Sequence, residues 1–322
     1  MVYKPIIIVA GEPNSIFSEI FFKSLKKKKY KSPIILVASK KLIKLQMKKL
    51  KIRMKIKQIN ISELERLSLD NKRLNLINVN FNQKKAFDKI SGKSNNYIKN
   101  SFEVALKILN KRITYKFING PISKKFFLTK RYLGITEYLA HKTKTKNFAM
   151  LIYNKKLSVC PLTTHLPIKK ISRKINKKMI IEKVKLINIF YKEYFNKKPR
   201  IAITGLNPHC ESIDTFNEDE KIIKPSIKSL IKSNLKIFGP YAADTIFLKK
   251  NREKYNVIIG MYHDQVLTPI KTMFKFNAIN LTLGLPFIRI SPDHGPNSAM
   301  QGKNKSDPSS LFYAMNFIEK NT

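Results

Sequence analysis

Short, unbroken apolar runs recur along the chain, and most of them end in a polar turn. Residues 4–10 (KPIIIVA) lead into Gly11, Glu12, Pro13 and Asn14, and residues 32–39 (SPIILVAS) lead into a lysine-rich stretch. Runs of this length without apolar/polar alternation predict strands covered on both faces, as in a parallel sheet. Between them the apolar spacing changes to the helical period. Ser15 is the expected N-cap of a helix to about residue 28, and a second helix is expected over 40–50. Strand-like runs follow near residue 59 and over 74–79. A helix over 95–111 gathers Phe102, Ala105, Leu106 and Leu109 on one face, and a strand over 115–118 ends in Asn119, Gly120 and Pro121.

The second half repeats this plan. Helices are predicted over 136–143, 168–196, 217–233, 245–251 and 307–320, and strands over 148–153, 157–162, 200–206 and 257–261. Residues 237–244 (IFGPYAAD) read as a connection punctuated by glycine and proline. The alternation places the chain in the α/β class. Its 322 residues suit two packed domains, at roughly 100–200 residues each.

Composition narrows the function classes. With 43% apolar residues the chain can bury a core, and no run approaches the roughly 18 apolar residues of a membrane helix. The apolar run over 6–10 reads as a first strand rather than a signal peptide. Cys160 and Cys210 are the only cysteines, which indicates no disulfide framework and suits a reducing cytoplasm. The net charge of +43 would by itself suggest a polyanion partner. The lysines, however, are spread from Lys4 to Lys320 and accompany abundant Ile and Asn, a pattern of A- and T-rich codon usage. The expectation is weak binding to nucleic acid at low salt, no specific nucleic acid and no membrane.

Polar chemistry concentrates at strand ends, where open α/β sheets place their ligands. His165, His209 and His263 each follow a strand-like run, so a parallel sheet would bring all three to one edge. Three imidazoles with an open fourth position make a catalytic metal site, whereas histidines in this context can also be solvated or structural. Asp244 and Asp264 are candidates to orient or ligate, or are surface aspartates. Lys271, Asn280 and Arg289 suit a phosphate or carboxylate. Arg289 stands out because arginine is scarce here and this one lies in a mainly apolar run, where a charge needs a partner. Asp293, His294 and Gly295 form a turn that either approaches a cofactor or closes a loop. The turn after residue 10 lacks the spaced glycines of a dinucleotide fingerprint, and no P-loop is present. His141 reads as a surface residue and Cys210 as a buried thiol rather than a ligand.

Taken in order, GEPNSIFSE (11–19), NGPISK (119–124), GITEYLA (134–140), TTHLP (163–167), LNPH (206–209), GPYAADTIF (239–247), MYHDQ (261–265), LGLPFIR (283–289) and DHG (293–295) resemble the 4-hydroxythreonine-4-phosphate dehydrogenase (PdxA) family from end to end. The resemblance implies two α/β/α domains of the isocitrate/isopropylmalate dehydrogenase type with an active-site cleft between them. The first would span 1–130 plus 285–322, and the second, carrying the metal ligands and dimer interface, 131–284. It implies a cytoplasmic homodimer in pyridoxine biosynthesis. His165, His209 and His263 would hold one divalent metal (zinc, magnesium or cobalt), with one ligand supplied by the neighbouring subunit. Thr136, Lys271, Asn280 and Arg289, with Ile135 beside them, fall on substrate-binding positions. NAD, or NADP, would bind without a glycine fingerprint, at Asp293, His294 and Gly295. The implied reaction is oxidation of 4-phosphohydroxy-L-threonine at C3 followed by decarboxylation to 3-amino-2-oxopropyl phosphate.

The sequence departs from the family pattern at three places. Ile135 stands where a histidine is usual, Phe17 and Ser18 replace a Gly-Pro pair, and Asn304 stands where a second glycine is common after Gly302. The first of these favours, as an alternative, a related phosphorylated hydroxy acid such as 4-phosphoerythronate or 4-phosphothreonate. A further alternative from the net charge is a polyanion-binding protein on a decayed enzyme scaffold.

Overall fold

The computed structural model describes residues 3–128, 132–275, 277–292 and 294–320. In chain order it runs β1 (Ile6–Val9), α1 (Phe17–Lys27), β2 (Ile34–Ala38), α2 (Lys40–Lys49), β3 (Ile56–Gln58), β4 (Leu74–Asn78), α3 (Asn95–Asn110) and β5 (Lys116–Asn119). It continues with α4 (Ile135–Lys142), β6 (Ala149–Tyr153), β7 (Ser158–Thr163), α5 (Lys177–Phe195), β8 (Ile201–Thr204), α6 (Lys224–Lys232), β9 (Ile237–Tyr241), α7 (Ala243–Ile246) and α8 (Lys249–Arg252). The last elements are β10 (Val257–Tyr262), α9 (His263–Phe274), β11 (Ile279–Leu283), β12 (Ile288–Pro292) and α10 (Ser309–Lys320).

The chain divides into two compact units, one of Met1–Tyr138 with Pro286–Thr322 and one of Leu139–Leu285. In the first, all strands are parallel in the order β3-β4-β2-β1-β5-β12. The central run Ile6, Ile7, Ile8 and Val9 is fully buried, each side chain contributing about 1.5–3 kcal/mol relative to exposure. This is why the run shows no alternation: α1 with α10 and α3 exclude water from the sheet. The N-cap of α1 is Ile16 rather than the expected Ser15, whose Oγ accepts the Phe17 N–H at 3.2 Å from one residue earlier, while Ser39 caps α2 through the Leu42 N–H.

In the second unit the order is β11-β6-β7-β10-β8-β9. Strand β6 is antiparallel to both β11 and β7, while β7, β10, β8 and β9 are parallel. Four sequence expectations are corrected here. The helix expected over 168–196 begins only at Lys177, where the Asn176 side chain accepts the Met179 N–H; the preceding residues form two single turns, Ile168–Lys170 and Ser172–Lys174. Residues 237–241 form an edge strand rather than a connection, and proline is tolerated there because an edge position has no ladder partner for its missing N–H. The helix expected over 245–251 is broken into α7 and α8 at Leu248. The helix expected over 217–233 opens with one wide turn, Asp219–Ile223, before α6. No described helix is long and apolar enough to cross a membrane.

Candidate functional site

The three histidines follow three neighbouring parallel strands. Tyr262 pairs with Thr163 across β10 and β7, so the residues immediately beyond, His263 at the start of α9 and His165 in the loop, emerge side by side. Their ring centroids lie 5.5 Å apart. His263 Nδ1 contacts Asp264 Oδ1 at 2.7 Å. An Nδ1–H held by that carboxylate leaves Nε2 as the acceptor and fixes the ring, the arrangement a metal-ligating imidazole uses.

His209 follows β8, which flanks β10 on its other side. It is exposed, in the short turn Pro208–Cys210. His165 (φ 54°) and His209 (φ 56°) both occupy the left-handed region, which a residue with a Cβ adopts at a cost on the order of 1 kcal/mol, and such outliers concentrate at functional sites. Within one chain, no group of three His, Cys, Asp or Glu among the described residues could hold a metal ion. The structure therefore brings together two of the three predicted ligands. Asp244 in α7 and Lys271 in α9 are exposed. Asn280 on β11 is half-buried, its Nδ2 near Met150 Sδ.

In the first unit, the fully buried Arg289 lies on β12 opposite Phe117 of β5. Its Nε donates to Asn119 Oδ1 at 2.7 Å and its Nη1 to Thr136 Oγ1 at 3.3 Å. Burial pulls the guanidinium down to about 9, still charged at neutral pH, while the Glu137 carboxylate acts in the opposite direction. Burial also lowers Lys124, again opposed by Glu137. Ile135 is half-buried beside the buried Thr136 at the start of α4. This cluster assembles the end of β5, the start of β12 and the first turn of α4.

Asp293 lies outside the described residues. His294 is half-buried, its Nδ1 donating to the Gly295 carbonyl at 3.0 Å, and a Cβ added at Gly295 would meet nothing within 4 Å. Gly11 is different: a Cβ there would meet the Pro121 carbonyl oxygen at 2.4 Å, so the loops after β1 and β5 close on each other. Glu12 in that turn is buried, accepting from the Asn14 N–H and Ser94 Oγ, and burial raises its carboxyl. His141 is exposed. Cys160 and Cys210 are buried thiols, Cys160 pushed up to about 11 by burial and Cys210 raised by the same cause.

Sequence reasoning missed Asn119 and Glu137 as the surroundings of Arg289, although both lie in the motifs NGPISK and GITEYLA. It also missed Gln265, two residues after His263, and Asp219, which is fully buried. The signal for Gln265 was its nearness to a histidine-bearing strand end; Asp219, in the turn before α6, carried no such signal.

The fold is an α/β architecture shared with isocitrate dehydrogenase: the enzyme from Methylococcus capsulatus superposes with a TM-score of 0.51 at 7% identity, over 98% of this chain and 84% of that one. The family described as pyridoxal phosphate biosynthetic protein PdxA matches residues 29–318, and the chain belongs to that family. The 4-hydroxythreonine-4-phosphate dehydrogenase of Sulfurihydrogenibium sp. (strain YO3AOP1) is 38% identical over 316 residues, covering 96% of this chain and 95% of the relative. The crystal structure of the enzyme of that name from Klebsiella pneumoniae matches with a TM-score of 0.84 at 25% identity, over 98% and 97% of the two chains. A D-threonate 4-phosphate dehydrogenase from Pectobacterium atrosepticum is 34% identical over 181 residues, 56% of each chain.

Proposed function

We propose that the protein is a cytoplasmic dehydrogenase that oxidises 4-phosphohydroxy-L-threonine at C3 and releases carbon dioxide to give 3-amino-2-oxopropyl phosphate, within pyridoxal phosphate biosynthesis. Family membership and the relatives' names support the dehydrogenase class. The observation that carries the site is the approach of His165 and His263 at the ends of adjacent strands.

His165 and His263 of one subunit, with His209 of a second copy, would hold one divalent cation. An all-imidazole donor set suits zinc or cobalt better than magnesium, which prefers oxygen. The pair within one chain and the exposed turn of His209 support sharing across a homodimer. A bound cation would supply electrophilic stabilisation of negative charge on the C3 oxygen and on the carbanion left by decarboxylation. Asp264 holds the His263 ring so that one nitrogen faces the site. Arg289 and Thr136, with Lys271 and Asn280, would bind the phosphate and carboxylate and orient the C3–H bond. The turn 293–295 would take NAD or NADP, the acceptor of the hydride, with Gly295 leaving its backbone open to approach. The C3–H bond breaks with its electron pair, the hydroxyl proton leaves, and the resulting β-keto acid loses its carboxylate.

A second reading is oxidation of D-threonate 4-phosphate or 4-phosphoerythronate. Ile135 favours it, since the missing imidazole removes a polar contact at the substrate, and a relative carries the first of these names. Initial rates of NADH formation on the three substrates, by the wild-type protein and by Ile135→His, separate the readings. Preference for the hydroxythreonine compound supports the first, and turnover of only a rival transfers the function to it.

A further inference from the structure

We infer that Gln265 is a positioning residue that fixes where the His209 turn leaves the sheet, so that His209 is held for the His165–His263 pair of the second copy. The inference rests on the reading of these histidines as cation ligands.

The ladder between β10 and β8 ends at Ile259–Ile203, so Thr204 and Gly205, which lead to His209, lie beyond its last rung. The Gln265 carboxamide takes over there. Its Oε1 accepts from the Met261 N–H at 2.7 Å and from Thr204 Oγ1 at 2.9 Å, while its Nε2 donates to the Gly205 carbonyl at 2.9 Å. On the opposite side of β10, Thr163 Oγ1 donates to the Met261 carbonyl at 2.8 Å. One side chain and one hydroxyl thus tie together the carboxyl ends of β7, β10 and β8, the three strands that precede His165, His263 and His209.

Two further contacts show that the arrangement is built into the backbone. A Cβ at Gly260 would lie 2.4 Å from Val266 Cγ1 and 3.0 Å from Gln265 Oε1, so glycine lets the first turn of α9 fold back onto β10. Beyond Gly205, the buried Asp219 carboxylate accepts from the backbone N–H groups of Leu206 and Asn207 at 2.9 and 3.1 Å, and from Asn207 Nδ2 at 3.0 Å. His209 is two residues further on. Gln265 fixes where the turn begins, and Asp219 fixes its course.

Only an amide satisfies this position. Glutamate at neutral pH keeps the two acceptor contacts but sets a second oxygen against the Gly205 carbonyl, whereas leucine keeps none. The experiment is Co(II) binding by equilibrium dialysis to the homodimeric protein, for wild type, Gln265→Glu, Gln265→Leu and His209→Ala, with the melting midpoint of each metal-free protein. Gln265→Glu is expected to bind Co(II) roughly 10- to 100-fold more weakly than wild type, the range for residues that orient a ligand. A purely structural role would lower the melting midpoint without moving the affinity of the folded protein. Wild-type binding left undiminished in Gln265→Glu overturns the positioning role alone. A wild-type protein that binds no Co(II), or binds it as well without His209, overturns the cation reading and this inference with it. Should Gln265→Leu not fold, Gln265→Glu decides the matter, since it keeps two of the three contacts.

Discussion

Arg289 Nε donates to Asn119 Oδ1 at 2.7 Å, joining the start of β12 to the end of its parallel neighbour β5, 170 residues apart in the chain. Asn119 is a neutral acceptor: it fixes the plane of the guanidinium without cancelling its charge. With Thr136 on Nη1, the fork is oriented before any anion arrives.

Lysine keeps the charge but not the fork. Arg289→Lys is therefore expected to lower kcat/KM for the phosphorylated substrate by roughly tenfold to a hundredfold, the equivalent of one charge-assisted hydrogen bond of about 1.5–3 kcal/mol. Steady-state kinetics check this, with far-UV circular dichroism to confirm the fold. An unchanged kcat/KM would show that Arg289 serves the core alone.

Glu12 predicts a pH effect. Burial raises its carboxyl above the ordinary 4.5, the Asn14 and Ser94 hydrogen bonds opposing. A group whose folded pKa is raised binds more protons folded than unfolded, so its contribution is greatest below the unfolded value and is lost as pH rises. Glu12→Gln keeps hydrogen-bonding capacity without the charge. Its melting midpoint should exceed that of wild type at pH 7–8, and the gap should shrink toward pH 4. Thermal denaturation across this range tests the sign.

A site shared between subunits predicts complementation. Inactive His209→Ala and inactive His263→Ala chains, refolded together in equal amounts, form hybrids in which one of the two sites has all its ligands. Half of randomly paired dimers are hybrids, so activity should return to roughly a quarter of wild type. If each chain supplied all three ligands to its own site, the mixture would stay inactive.

Much of this site was legible before the structure, because the runs leading to His165, His209 and His263 are buried strands and such strands show as uninterrupted apolar residues. Arg289 was legible for the same reason: a charge within an apolar run must be partnered. Its partner was not, since apolar periodicity carries no information on which distant strand ends meet. Strand β9 was hidden by Gly239 and Pro240, which read as a break although an edge strand accommodates both. The start of α5 was hidden because the isoleucines at 168, 171 and 175 keep a helical spacing through turns that end at the Asn176 cap. The convergence of all three histidines was expected from strand ends alone. The structure pairs only two within a chain, since His209 lies five residues past the end of β8 on an exposed turn.

The proposed reaction couples oxidation to loss of carbon dioxide, and the most direct measurement is of both products at once. Purified wild-type protein with Zn(II), NAD and 4-phosphohydroxy-L-threonine should form NADH and carbon dioxide in a one-to-one ratio, and His209→Ala should form neither. NADH without carbon dioxide, or undiminished turnover by His209→Ala, would contradict the proposed chemistry.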